Sequence, residues 1–241
     1  EFLEHFSKQF AGVDFKQLTD EAAVFARANL PHIEPELRES DYFLDKAISG
    51  ALPELVTEAD IRSVIHAHST YSDGLNSLRE MAEAARDLGY GDLGITDHSK
   101  AAFYANGLQP ERVLEQWVEI DQLNEQLAPF RIFKGIESDI LNDGSLDYEE
   151  DMLRQFDFII ASVHSNLRMD ETKATQRLLA AIENPYTTIL GHPTGRLLLR
   201  REGYAVNLRK VIEAAAANHV LIELNANPWR MDMDWRTWHG A

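Results

Sequence analysis

From residue 61 onward the chain repeats one alternation: a short apolar run rich in β-branched residues, then a stretch with helical periodicity. The apolar runs are "IRSVIHAH", "DLGITDH", "RIFKGIES", "FDFIIASVHS", "TTILGHP" and "VLIELNANP". Between them lie "SLREMAEAARDLG", "PERVLEQWVEIDQLNEQL" with Pro110 in its first turn, "DYEEDMLRQ", "ETKATQRLLAAIEN" and "NLRKVIEAAAANH". Strands that alternate with helices form βα units, so the pattern predicts six strands in a parallel α/β sheet or barrel.

Residues 1–60 read as helical and irregular. "TDEAAVFARANL" predicts a helix from about residue 20 with Thr19 as its N-cap. "LPHIEPELRES", broken by Pro31 and Pro35, predicts a loop before a further short amphipathic stretch. This region carries 5 basic and 13 acidic side chains, net −8, within a formal charge of −17 for all 241 residues. That balance argues against a broad nucleic-acid-binding surface on this chain alone. Cysteine is absent, which excludes disulfides and thiolate chemistry. No apolar run is long enough for a membrane span and no signal-peptide pattern opens the chain, so no membrane partner and a cytoplasmic location are expected. With 44% hydrophobic residues, the length suffices for one sizeable core.

The functional signal lies at the strand ends. "VIHAHSTYSDG" puts His66 and His68 one residue apart at the end of the first strand, where i and i+2 share a side, and Asp73 in the loop that follows. Asp97 and His98 end the second strand, Glu137 the third, His164 the fourth, His192 the fifth and Asn225 the sixth. Any one of these can be an ordinary buried polar residue. In a parallel barrel, however, the C-terminal strand ends meet on one face, where active sites sit. His5, His32, His219 and His239 lie off the pattern and read as surface or helix-end residues. The ligand-type side chains exceed what one tetrahedral metal needs. Two to three divalent metal ions are expected, and imidazole-rich ligation favours manganese, zinc or iron over magnesium or calcium. Clustered metals suit phosphate-ester hydrolysis, because they activate water and hold the phosphoryl and leaving oxygens.

"HAHSTYSDG", "ITDHS", "GIESDI", "SVHS" and "GHP" resemble, in order, the successive motifs of the PHP (polymerase and histidinol phosphatase) superfamily. The resemblance implies a distorted (β/α)7 TIM-like barrel, the PHP fold, and a trinuclear metal site. It implies a first metal on His66, His68 and Glu137, a second on Glu137, His164 and His192, and a third on Asp73 and His98. Glu137, Asp73 and His98 are then the residues nearest the chemistry. "LPHIEPELRE", "GIESDILNDGSLDY", "GHPTGRLLLRREGY" and "ELNANPWRMDMDW" are further similar to the C-terminal PHP domain of bacterial family X DNA polymerases. Such domains are manganese-dependent 3′-to-5′ exonucleases. The expected division is a helical linker following a polymerase domain over 1–60 and a metal-dependent phosphoesterase domain over 61–241. The expected partners are the 3′ end of DNA, in proofreading or repair, and polymerase domains of the same parent chain. The superfamily pattern ends in an aspartate–histidine pair on a seventh strand. This chain stops before it, so the expectation is a C-terminally truncated domain with its last strand and helix unit missing.

Arg196, Arg200, Lys100 and Asn225 are the candidate substrate-binding residues, the arginines because their guanidinium fork matches phosphate. Tyr104 and Asn106 are further candidates to line the groove. Trp117 and Leu123 read as core, and Trp229, Trp235 and Trp238 as packing residues. "GHPTGR" lacks the spacing of a phosphate-binding glycine loop. Two rival readings stand beside the exonuclease: a phosphomonoesterase of the histidinol-phosphate type, and a structural PHP module without catalysis.

Overall fold

The computed structural model describes residues 1–16, 18 and 20–238. The chain divides into two compact units, Glu1–Asp60 and Ile61–Ala241.

In the first unit α1 (Phe2–Gln9), α2 (Glu21–Arg27) and α3 (Tyr42–Ile48) enclose a small core of Phe2, Phe6, Phe25, Ile33, Leu37 and Leu44. The phenylalanines meet at 5.7 Å, edge to face, between Phe6 and Phe25, a favoured geometry for paired rings. Thr19, expected to cap α2, lies outside the described residues. Asp20 caps instead, its carboxylate accepting from the Ala23 N–H at 2.8 Å, which satisfies an otherwise orphaned donor of the first turn.

The second unit contains one sheet of parallel strands in sequential order, β1 (Ser63–Val64), β2 (Asp92–Ile95), β3 (Arg131–Asp139), β4 (Phe158–Ser162), β5 (Ile189–Leu190) and β6 (Leu221–Ile222). Five helices connect them: α4 (Leu78–Asp87), α5 (Pro110–Leu127), α6 (Glu150–Leu153), α7 (Glu171–Ile182) and α8 (Leu208–Asn218). The predicted alternation is present throughout. A flat sheet would hold its first and sixth strands roughly 24 Å apart. Here His66, just past β1, hydrogen-bonds Glu223, just past β6, so the sheet curls into an open barrel.

The local sequence explains the elements. Ser77 and Glu80 form a full capping box at the start of α4, and Gly89 takes φ 88° beyond its end, where a side chain would be strained. The α5 helix buries Val113, Trp117, Ile120 and Leu123 against the sheet, and Trp117 meets Phe156 edge-on at 5.1 Å. Trp117 and Leu123 are thus core residues. Trp229 is not the packing residue expected from the sequence: its ring is 53% exposed, because the loop after β6 carries it outside the barrel. Among the described residues, no helix is long and apolar enough to cross a membrane.

Candidate metal centre

The first strand is shorter than its sequence suggests. The ladder with β2 ends at Val64, but the Ala67 carbonyl still accepts from the Thr96 N–H at 2.9 Å, and His66 and His68 stand on either side of that contact. Their rings lie together, 5.5 Å apart, on one side of the segment. The chain then turns sharply through Asp73 and Gly74. A side chain at Gly74 would sit 2.1 Å from the His68 carbonyl oxygen, so only glycine permits the turn. Gly191, before His192, is similarly confined: a Cβ there would lie 2.4 Å from Ser162 Oγ.

Glu137 is the centre of the arrangement. Its buried carboxylate is approached by the Nε2 atoms of His66 (3.2 Å), His68 (3.4 Å), His164 (3.1 Å) and His192 (2.9 Å), and by Nδ1 of His98 (3.1 Å). Asp73, 51% exposed, reaches in from the edge, 3.5 Å from His68 and 3.8 Å from His98. The seven ligand-type residues expected from the sequence therefore meet at one point. Three donor triads have atoms within 4.8 Å of one another: His66, His68 and Glu137; His68, Asp73 and His98; His98, Glu137 and His164.

Two carboxylates absent from the sequence reading orient these imidazoles. Nδ1 of His164 donates to Asp139 at 2.5 Å, and Nδ1 of His66 donates to Glu223. Each bond fixes the ring orientation and points Nε2 at Glu137: a proton there donates to the carboxylate, and its loss would free the lone pair for a metal, the arrangement that supports metal-ligating histidines. Glu223 also accepts from the His192 backbone N–H at 2.7 Å, joining both rims of the open barrel. Asp139 had a signal: it is two residues from Glu137 on one strand, hence on the same side.

Electrostatics express the same crowding. Burial raises the Glu137 pKa, but the charge and hydrogen bonds of His164, with those of His192 and His66, outweigh it and hold the carboxyl well below its usual range. Burial pushes His66 down, yet Glu137 and Glu223 together bring it up to about 10. His164 is likewise raised to about 9 against its burial, by Glu137 and Asp139. His98 is pushed down to about 4 by burial, aided by the neighbouring His68 and His164.

The donor set fits divalent metals. A carboxylate offers about four lone-pair sites, fewer than the imidazoles and further groups crowding Glu137. The buried Nδ1 atoms of His68, His98 and His192 have no partner of hydrogen-bond geometry, although those of His68 and His98 lie 3.5 Å from Asp73 and 3.1 Å from Glu137. Buried polar atoms are rarely left so, whereas cations between the rings and carboxylates would engage lone pairs.

Asp97 lies behind the cluster rather than in it. Fully buried, it accepts from Ser69 N (2.8 Å) and Oγ (2.6 Å), Ser72 N (3.2 Å) and Oγ (2.5 Å), and Gln116 Nε2 (2.6 Å). It thereby fixes the loop that carries Asp73.

The expected substrate-binding residues are placed otherwise. Arg196 is a structural clamp, donating to the Arg230 and Met231 carbonyls and to Asp234 at 3.0 Å, so each of its three nitrogens is already engaged. Arg200 lies over the Trp229 ring at 5.2 Å, and Lys100 over the Tyr148 ring at 5.5 Å. Asn225 bonds Glu223, Asn227 and the backbone of Asp232, tying the loop after β6. Asn106 holds the Tyr71 carbonyl at 3.0 Å. Tyr104 stands 6.3 Å from the His98 ring. The cations that act electrostatically on one another beside Tyr104 are Arg201 and Arg230, and a buried nitrogen of Arg230 has no hydrogen-bond partner. Both were missed because only the fold brings these loops together. Of the off-pattern histidines, His32 packs on Phe25 at 5.3 Å, and His219 ends α8. His239 lies outside the described residues.

Residues 65–227 match the sequence profile of the PHP domain. The chain is 44% identical over 226 residues to the DNA polymerase/3′-5′ exonuclease PolX of Bacillus subtilis, covering 94% of this chain and 39% of that protein. It is 30% identical over 164 residues to a probable phosphatase of Acetivibrio thermocellus, covering 66% of this chain and 63% of that one. Among solved structures, histidinol phosphate phosphatase from Lactococcus lactis, complexed with zinc, L-histidinol and phosphate, is similar at a TM-score of 0.47 and 16% identity, covering 67% and 72% of the two chains. The chain thus spans less than two thirds of the length of these curated relatives.

Proposed function

The chain belongs to the PHP domain family, and we propose that its histidine–carboxylate cluster is a divalent-metal phosphoesterase centre that removes nucleotides from the 3′ end of DNA. One observation carries the reading: a buried carboxylate, Glu137, ringed by five imidazoles, more than its own lone pairs can serve. The relative named a polymerase and 3′-5′ exonuclease supports the DNA substrate, and its match extends well into residues 1–60. That supports reading residues 1–60 as a linker that follows polymerase domains of a longer chain, acting on DNA in the cytoplasm.

His66, His68, Asp73, His98, Glu137, His164 and His192 would hold two to three metals, manganese being the first to test. Metals bound there would supply Lewis acidity to the phosphoryl group and its attacking water. The chain's own residues do the rest. Asp139 and Glu223 aim His164 and His66. Asp97 fixes the loop bearing Asp73. Arg230, whose charge acts on Tyr104, is a candidate for a substrate phosphate.

The test is incubation with manganese and a 5′-labelled single-stranded oligonucleotide. A ladder shortening from the 3′ end, absent in His68→Ala, is expected. The probable phosphatases among the relatives favour a second reading, a small-molecule phosphomonoesterase. Hydrolysis of p-nitrophenyl phosphate with an intact oligonucleotide would select it. Bound metal without either activity would select a non-catalytic module.

A further inference from the structure

A cleft of about 690 Å3 adjoins the cluster, lined among others by Phe103, Tyr104, Asp139, Asn142, His164 and Asn166. Two of these are out of place by ordinary burial: Phe103 is 85% exposed and Tyr104 63%. Aromatic rings usually bury most of their surface, and adjacent exposed rings beside a cleft mark a contact site. The turn that carries them, Phe103–Ala105, is firmly anchored. Ala102 and Ala105 are buried on either side, and the Gly107 N–H donates to the Ala102 carbonyl at 3.0 Å. A Cβ at Gly107 would lie 2.0 Å from the Ser99 carbonyl oxygen, so the turn sits tight against the backbone after His98. The rings step outward from the cluster: Tyr104 is 6.3 Å from His98, and Phe103 is 6.2 Å from Tyr104.

Given the exonuclease reading, on which this inference rests, we propose that Phe103, backed by Tyr104, is the stacking platform for the base at the 3′ end of the bound strand. A phosphate at the cluster puts its nucleoside one sugar away, in the adjoining cleft. Every base has a π-face, so a stacked ring grips any terminal nucleotide without selecting sequence, as a stepwise exonuclease requires. The paired amides of Asn142 and Asn166 make the cleft polar, which suits a nucleotide better than an apolar protein surface.

The test uses the full chain with manganese and two oligonucleotides, one normal and one ending in an abasic residue. Phe103→Ala should raise KM for the normal oligonucleotide roughly 5- to 150-fold, the range of one lost base–aromatic stack, with kcat little changed. On the abasic end the same substitution should change nothing. Phe103→Trp should restore KM, and its added fluorescence should be quenched by deoxyadenosine monophosphate. Equal effects of Phe103→Ala on both oligonucleotides, or none on either, overturn the platform. So does a shift from dimer to monomer in sedimentation as its sole effect, which would make the rings a self-association surface. If the wild type cuts neither oligonucleotide yet hydrolyses p-nitrophenyl phosphate, the exonuclease reading has failed on its own. The added fluorescence of the Phe103→Trp variant then decides: quenching keeps a nucleobase site, and no quenching overturns it.

Discussion

Replacing Asp97 by alanine should damage the protein more than replacing any of the exposed acidic residues. The carboxylate is buried and accepts from the backbone N–H groups of Ser69 and Ser72, from the side-chain amide of Gln116 and from the hydroxyls of Ser69 and Ser72. The hydroxyls can rotate to new partners, but the two backbone N–H groups cannot, and Gln116, whose Oε1 has no partner, leaves its NH2 unsatisfied whichever way its amide turns. Each buried donor left unsatisfied costs about 1–3 kcal/mol, so these three N–H donors together cost about 3–9 kcal/mol. Water entering the vacated space draws the loss toward about 3 kcal/mol. For a chain of this size each kcal/mol lowers Tm by about 2–4 °C, so a fall of about 6–12 °C or more is expected. All four tryptophans lie beyond residue 60, so tryptophan fluorescence during urea or thermal unfolding reports on the barrel unit. Asp97→Asn keeps an acceptor for the backbone donors. Gln116 can also turn its amide so that Oε1, which has no hydrogen bond, meets the new NH2 group. Its loss should be about 1–2 kcal/mol. Asp97→Ala within about 1 kcal/mol of wild type, or asparagine as harmful as alanine, would refute the reasoning.

Other expectations follow from the same geometry. Glu223→Gln and Asp139→Asn should each weaken metal binding about 10- to 100-fold, because each releases the orientation of one imidazole; titration calorimetry with manganese measures this, and unchanged affinity counts against the orienting role. Manganese at 100 times its Kd should stabilise the barrel unit by about 2.7 kcal/mol, reversed by chelator and lost in Glu137→Gln; a metal-independent Tm would argue against the centre. Trp117→Ala, which empties the space against Phe156, should cost about 3–5 kcal/mol without altering metal stoichiometry. Arg200→Ala should leave oligonucleotide KM unchanged, since its guanidinium lies on Trp229; a large rise would return Arg200 to the substrate site.

The alternation of apolar runs and amphipathic helices determined by itself that the barrel unit is parallel α/β. The end of α4 at Gly89, where "SLREMAEAARDLG" stops, was equally local and equally legible, whereas the cap of α2 was not: the sequence pointed to Thr19 and Asp20 makes the bond. The metal-ligand candidates could be read because each stands where an apolar run ends, and strand ends of parallel units share a face. Tertiary structure alone decided the rest. Arg196 and Arg200 read as phosphate ligands because spacing shows charge but not what already fills it. Glu223 could not be paired with His66 across 157 residues before the sheet was known to curl. Nor could Arg230 be placed beside Tyr104, since each loop's sequence is indifferent to the other. Local pattern fixes periodicity and termini through backbone sterics and hydrogen bonding within a few residues. The partner of a buried charge is set by which strand ends the closing sheet brings within hydrogen-bond reach, and that depends on the whole chain at once.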